Sequence, residues 1–261
     1  MAGKSVVSTK ILPKVKFRVA PLDDYFSELH RFLNPDANHY DWSGGVLKKY
    51  PGLKDKLQSV TDVKEREKIE QGFFEEVERE ELPKMEIARE EFQKAWDKIG
   101  DDLMRALSEI LEIDWGENDR KITATLTLNP IMPRFPEQRM FRVFYGADAE
   151  HAIDTVIHES LHFLYFEKWS LIFPEIKADK TGKDNPAWKL SEIVTGVIPN
   201  DPRIQFIFKH EFHTYREFQN TNIDGKPLVS HIQRLYDERE DFADFLRKAW
   251  EFVKLHEKEI P

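Results

Sequence analysis

The chain has 261 residues, 40% of them hydrophobic and 12% aromatic, which is enough to bury a sizeable core and excludes a disordered segment. A net charge of -9 without any concentrated run of Lys or Arg disfavours nucleic-acid binding, because contacts to phosphates need a basic face. The sequence has no cysteine, so it has no disulfides. Since no apolar stretch has the length expected of a signal peptide or a membrane span, we expect a soluble, cytoplasmic protein that does not bind membranes.

The first 120 residues are predicted to be mainly helical, with one short strand. Residues 15–20, VKFRVA, alternate like a strand, and an irregular stretch rich in Pro, Gly and Asn follows them. From about Asp62 the apolar residues recur at helical spacing, and Pro83 is expected to divide this region into two long helices.

The middle of the chain predicts two strands followed by a helix. The strands are residues 122–128, ITATLTL, and 140–146, MFRVFYG, with a Pro-rich loop between them. Asp148 is a suitable N-cap for the helix that contains residues 154–169, DTVIHESLHFLYFEKW.

The last part of the chain is predicted to be helical again. Asn185 and Pro186 form an N-cap and first-turn pair for a short helix over residues 186–198. Further helices are expected over residues 202–220, 227–236 and 238–257. The elements together predict a predominantly helical α+β fold with a small mixed or antiparallel sheet on the 154–169 helix. We expect residues 1–120 and 121–261 to form one compact unit.

HESLH, within the middle helix, has the spacing of a metal site. Positions four apart lie on one face of a helix, so His158 and His162 can direct their imidazoles at a single ion. Glu159 points to one side of that ion, where its carboxylate can accept a proton from an attacking water. The pattern favours metal-assisted hydrolysis over a structural pair of histidines bonded to buried partners.

HESLH resembles the signature of the zincin metallopeptidases. The metzincin extension would need Gly and His where this chain has Tyr165 and Lys168, so that subclass is excluded. The gluzincins, which are the thermolysin-like group, take a glutamate from a later helix as their third ligand. The resemblance, which covers about residues 122–198, implies that Glu192 fills this role and that Zn²⁺ is the cofactor.

The chain departs from the gluzincin pattern four residues after Glu192, where Gly196 replaces an aspartate that orients the first histidine. Thr195 or Asp154 could take over that duty. Glu192 could instead be a surface carboxylate paired with Lys189. Other candidates for the third ligand are Glu175, Asp179, Asp184, Asp201 and His210.

The resemblance also implies substrate contacts. In zincins the strand before the active-site helix offers an exposed edge to an extended peptide, which would make residues 139–146 a substrate strand with Arg142 and Phe144 as contacts. An internal strand is the alternative. Zincins also place a Tyr, His or Arg near the developing oxyanion, and we favour His213 and Tyr215. The other candidates for this role are His210, His231 and Tyr236.

The expected function is therefore that of a zinc metallopeptidase acting on peptide or protein substrates, with His158, His162 and Glu192 as ligands and Glu159 as general base. One alternative is a non-catalytic zincin-like module that binds a partner or regulates it. A second is a helical protein in which the two histidines are incidental.

Overall fold

The computed structural model describes residues 11–35, 41–177 and 185–261. The fold is α+β and mainly helical, with a small mixed sheet. Two compact units interleave along the chain: the sheet unit, residues 15–98 and 121–155, and the helical unit, residues 99–120 and 156–261 with the described residues before Val15. Neither unit coincides with the expected division at residue 120. None of the helices in the described residues is both long and apolar enough to span a membrane.

In its described residues the sheet unit contains four strands, in the order β1-β2-β4-β3. Their bounds are β1 (Lys14–Val19), β2 (Lys121–Thr127), β3 (Arg134–Phe135) and β4 (Met140–Phe144). β2 and β4 run parallel, with Thr123 opposite Met140, whereas β3 is antiparallel to β4. The three strands predicted from alternation are confirmed to within two residues at each end.

Four helices complete the sheet unit: α1 (Phe26–Leu33), α2 (Ser43–Lys49), α3 (Pro51–Leu57) and α4 (Val63–Trp96). The first three lie in the stretch predicted to be irregular, so that prediction was wrong there. Each spans only about two turns, too short for apolar periodicity to stand out. They form because Leu29, Val46 and Leu53 are fully buried in a common core.

The break expected at Pro83 does not occur, because α4 continues through this residue. Pro83 offers no N–H to the carbonyl of Arg79, and this loss ordinarily bends or ends a helix. Here Pro83 is exposed, so water can reach the freed carbonyl. The chain breaks later, between Trp96 and Gly100, where α4 gives way to α5.

The helical unit is built from α5 (Gly100–Leu111), the part of α6 (Ala149–Ile172) from Val156 onward, α7 (Pro186–Ile193), α8 (Pro202–Ile207), α9 (Arg216–Asn220), α10 (Leu228–Asp237) and α11 (Phe242–Leu255). A short hairpin, β5 (Asn222–Ile223) and β6 (Lys226–Pro227), precedes α10. The single helix predicted over residues 202–220 was wrong, since residues 208–215 are not helical and separate α8 from α9.

Much of α6 is buried, and its buried residues are spread around the helix instead of forming a single stripe. Val156, Ile157 and His162 are fully buried, on different faces of the helix. Near its end Trp169 packs edge-to-face on Trp250 of α11, with ring centroids 5.2 Å apart. α11 also packs on α7, so the same helix supports the two that carry the HESLH motif and Glu192.

Candidate metal centre

The two histidines of HESLH lie on one face of α6, at different depths in the protein. Asp148 caps α6 by accepting a hydrogen bond from the backbone N–H of His151 at 2.8 Å. His162 is fully buried, and its ring stacks on Phe166 with centroids 5.8 Å apart. The side chain of His158 keeps 26% of its surface exposed. One nitrogen donor is therefore deep in the protein, and the other faces solvent.

Glu192 reaches the same point from α7. The side chain of Asn185 accepts a hydrogen bond from the N–H of Ala187 at 2.9 Å, which confirms the predicted cap and sets where α7 begins. Glu192 Oε2 lies 3.5 Å from His158 Nε2 and 3.4 Å from His162 Nε2. This oxygen is buried and makes no hydrogen bond to the described protein.

The three atoms have the spacing of a tetrahedral ligand set. The two Nε2 atoms are 3.1 Å apart, so the triangle has edges of 3.1, 3.4 and 3.5 Å. Zn–N and Zn–O bonds of about 2.0–2.1 Å with tetrahedral angles place neighbouring ligand atoms about 3.3 Å apart. In the described residues His158, His162 and Glu192 could thus hold a metal ion.

The electrostatics favour a charged carboxylate in this triangle. Burial raises the pKa of Glu192, but the imidazoles of His162 and His158 outweigh burial and hold this pKa well below its ordinary value. Glu192 is therefore an anion at neutral pH and pairs with two nitrogen donors. This donor set suits Zn²⁺ and related transition-metal ions.

Glu159 adjoins this triangle without belonging to it. Its Oε1 lies 4.0 Å from His158 Nε2, and the residue is only 6% exposed. It lies next to His158, the histidine of the pair that is partly exposed to solvent. A carboxylate in this position can accept a proton from a water molecule that approaches the site.

Two threonines hold the backbone of Glu192 in place. The hydroxyls of Thr195 and Thr214 both donate to the backbone carbonyl of Glu192, at 2.6 and 2.7 Å. Thr195 was one of the two residues expected to orient a histidine, but its hydroxyl instead donates to this carbonyl, near the end of α7.

Gly196 stands where the gluzincin pattern would have an aspartate, and packing explains its small size. A Cβ at this position would lie 2.7 Å from the backbone nitrogen of Thr214. Only glycine lets residues 208–215, the non-helical segment after α8, approach the end of α7 this closely. The departure from the gluzincin pattern is therefore part of how this chain supports Glu192.

The two favoured oxyanion residues flank Thr214 in this segment. Thr214 is buried, while His213 and Tyr215 are exposed on either side of it. Tyr215 stacks on Trp188, with centroids 6.2 Å apart and the rings 20° from parallel. Trp188 lies one turn before Glu192, so Tyr215 lies over the face of α7 that carries Glu192.

Two of the other oxyanion candidates are engaged elsewhere. The Tyr236 hydroxyl donates to Asp201 at 2.7 Å, and His231 Nε2 lies 2.9 Å from the carbonyl oxygen of Ile223. His210 stacks on Phe208.

Among the described residues, none of the alternatives for the third ligand joins the triangle. Glu192 is not a surface carboxylate paired with Lys189, since Glu192 is buried and Lys189 donates instead to the carbonyl of Ile260, at 2.7 Å. Asp201 bonds to Arg203 and Tyr236, and Glu175 is exposed. Asp179 and Asp184 lie outside the described residues.

Arg142 and Phe144, the predicted substrate contacts, belong to the sheet unit. β4 is internal over its first part, because β3 pairs with Met140 and Phe141, so the exposed edge predicted there was wrong. Arg142 is 3% exposed, and its guanidinium donates to the carboxylate of Glu28 at 2.6 and 3.1 Å. The Phe144 ring makes a cation–π contact with Lys49, whose Nζ lies 5.0 Å from the ring centroid.

Sequence reasoning did not single out Thr214 as a support for the site. It is 22 residues from Glu192 along the chain, and no local pattern connects the two. The glycine at position 196 was the available signal in the sequence, because glycine allows two backbone segments to approach closely.

Comparisons of the chain with protein-family models, curated proteins and solved structures find no match.

Proposed function

We propose that this protein is a zinc-dependent hydrolase of the gluzincin type that cleaves peptide bonds. The observation that carries the proposal is the triangle of His158 Nε2, His162 Nε2 and Glu192 Oε2, with edges of 3.1–3.5 Å. A site that served structure alone would have no chemical use for a fourth group like Glu159. Peptide hydrolysis, and the zincin-like character of the fold, rest on the resemblance of HESLH to the zincins.

The residues have separate roles in this proposal. Zn²⁺ would act as a Lewis acid that polarises the scissile carbonyl and lowers the pKa of water. His158 and His162 supply neutral nitrogen donors, and Glu192 supplies the charged oxygen. Glu159 accepts a proton from the attacking water and returns it to the leaving amine. His213 and Tyr215 offer donors to the negative charge that develops on the carbonyl oxygen.

The first test is metal content, measured by elemental analysis on tag-free protein. We expect about one zinc per chain in the wild type, loss in His158→Ala and weaker retention in Glu192→Gln. Glu175→Gln, which changes an exposed glutamate outside the triangle, should retain zinc like the wild type. A wild type that holds no metal after zinc is supplied and the excess removed would refute the proposal.

The second test separates a hydrolase from a non-catalytic metal-binding module. Glu159→Gln should keep its zinc and lose hydrolysis of a mixed peptide library by about 10²–10⁴-fold, because it can no longer take the proton. Peptide products would be followed by mass spectrometry. If zinc-loaded wild type and Glu159→Gln both leave the library intact, the binding module is the better description.

A further inference from the structure

The hydroxyl of Tyr165 is a buried polar group that the proposed chemistry does not use. Tyr165 has no exposed surface, and its hydroxyl has no hydrogen-bond partner in the described part of the chain. The ring itself is well packed, against Phe166 at 5.5 Å and Trp169 at 5.9 Å between centroids. Phenylalanine would provide the same packing without the cost of burying an unsatisfied hydroxyl. The hydroxyl therefore needs an explanation outside the packing.

The position of Tyr165 points to the metal centre. It follows His162 by three residues and His158 by seven, so on α6 it lies on the face that carries both ligands. Burial and, after it, the charge of Glu192 raise the pKa of Tyr165 well above its ordinary value. The hydroxyl is consequently protonated at neutral pH and available as a donor near the Glu192 carboxylate.

We propose that Tyr165 is a positioning residue whose hydroxyl donates a hydrogen bond to the carboxylate of Glu192 when a cation is bound. One oxygen of a ligating carboxylate faces the ion, while the other keeps lone pairs that a buried site must satisfy with a donor. Such partners orient a ligand and commonly change metal affinity by about 10–100-fold when removed. This inference rests on the proposed function, because it requires a bound cation.

The test compares Tyr165→Phe with Tyr236→Phe, a matched change at another buried tyrosine of the helical unit. Zinc affinity is measured by competition with a chromophoric chelator, and the thermal stability of the metal-free protein by circular dichroism. Tyr165→Phe should bind zinc about tenfold more weakly while its metal-free form unfolds at no lower temperature. Tyr236→Phe loses its bond to Asp201, so it should unfold at a lower temperature with unchanged zinc affinity.

Cobalt substitution provides a second measurement, independent of hydrolysis. The visible absorption of Co²⁺ in the site should change in Tyr165→Phe, because the Glu192 carboxylate loses its orientation, and should stay as in wild type for Tyr236→Phe. Wild-type zinc affinity and an unaltered cobalt spectrum in Tyr165→Phe would overturn this inference and leave the proposed function standing. A wild type that binds neither metal would overturn both.

Discussion

Gly196 shows how one residue determines the support of Glu192, the candidate third ligand. The Thr214 hydroxyl reaches the carbonyl of Glu192 at 2.7 Å because the segment from residue 208 to 215 packs directly against Gly196. A methyl group there would collide with backbone, which cannot rotate away as a long side chain could. The small residue is therefore required by contact distance, since Gly196 is not at a positive φ.

We expect Gly196→Ala to destabilise the protein by about 1–3 kcal/mol, because Thr214 must move. Zinc affinity should fall as well, since Thr214 is one of the two donors that hold Glu192. Urea unfolding and chelator competition measure the two effects. Gly72→Ala is the matched control: it lies inside α4 with no atom within 4 Å of the added carbon, and it should stabilise by up to about 1 kcal/mol. Equal effects of the two substitutions would contradict the packing role of Gly196.

At the site, sequence alone identifies what depends on local spacing. His158, Glu159 and His162 follow from five consecutive residues, because helix geometry fixes their relation. Glu192 follows from the zincin resemblance together with the Asn185 cap. Tyr165 and Thr214 could not be predicted in this way. The effect of a hydroxyl depends on which carbonyl or carboxylate the fold brings near it.

At the scale of elements, the predictions succeeded where a segment is long or well capped and failed where tertiary packing decides. α6 and α7 carry capping residues, Asp148 and Asn185, whose side chains bond to the first turn as expected. α1 to α3 are too short to show a clear period, so burial in the core, not propensity, makes them helical. Pro83 is the opposite case: its low helix propensity predicts a break, but α4 continues through it because Pro83 faces solvent.

Asp201 links two elements of the helical unit and makes their stability depend on pH. It caps α8 by accepting from the N–H of Arg203, pairs with the guanidinium of the same residue, and accepts from the hydroxyl of Tyr236 on α10. Burial raises the pKa of Asp201, but the bonds to Arg203 and Tyr236 lower it by more, so the pKa falls from 3.8 to about 2. Because the folded-state value is depressed, the ionised form stabilises the fold above pH 3.8. This contribution is lost as the pH falls through 2.

Asp201→Asn should therefore be about 2 kcal/mol less stable than wild type at pH 7, by the free energy of about 1.4 kcal/mol per pKa unit. About half of this difference should remain at pH 3, because the Asp201 carboxylate is then mostly protonated in the unfolded wild-type chain while it is still mostly ionised in the folded one. Urea unfolding at both pH values measures it. Asp237→Asn, an exposed change on α10, should alter stability by less than about 0.5 kcal/mol. A deficit of Asp201→Asn that stays constant between pH 7 and pH 3 would disprove the ionic contribution.

At the scale of the whole molecule, the candidate metal centre lies within one of the two compact units. His158, His162 and Glu192 all belong to the helical unit, although α6 begins in the sheet unit. The sheet unit has a buried polar network of its own, in which Glu70 accepts from Asn34 at 2.9 Å and lies 2.6 Å from His30. The buried carboxylates Glu70 and Glu192 thus each have their polar neighbours within their own unit, and a cation held by Glu192 would act directly on the helical unit alone.

This separation predicts where zinc should protect the backbone from hydrogen exchange. α7 has barely two turns, and a cation bound to Glu192 and α6 would resist its local opening. At a free zinc concentration about 100 times the Kd, binding adds about 2.7 kcal/mol, so amides of Pro186–Ile193 that exchange through opening of the site should slow by about 100-fold. Exchange followed by mass spectrometry, with zinc and with chelator, measures this effect, and the middle of α4 in the sheet unit is the internal reference. His158→Ala should show no zinc-dependent protection in α7. Identical exchange of α7 with and without zinc in the wild type would mean that Glu192 does not hold the ion.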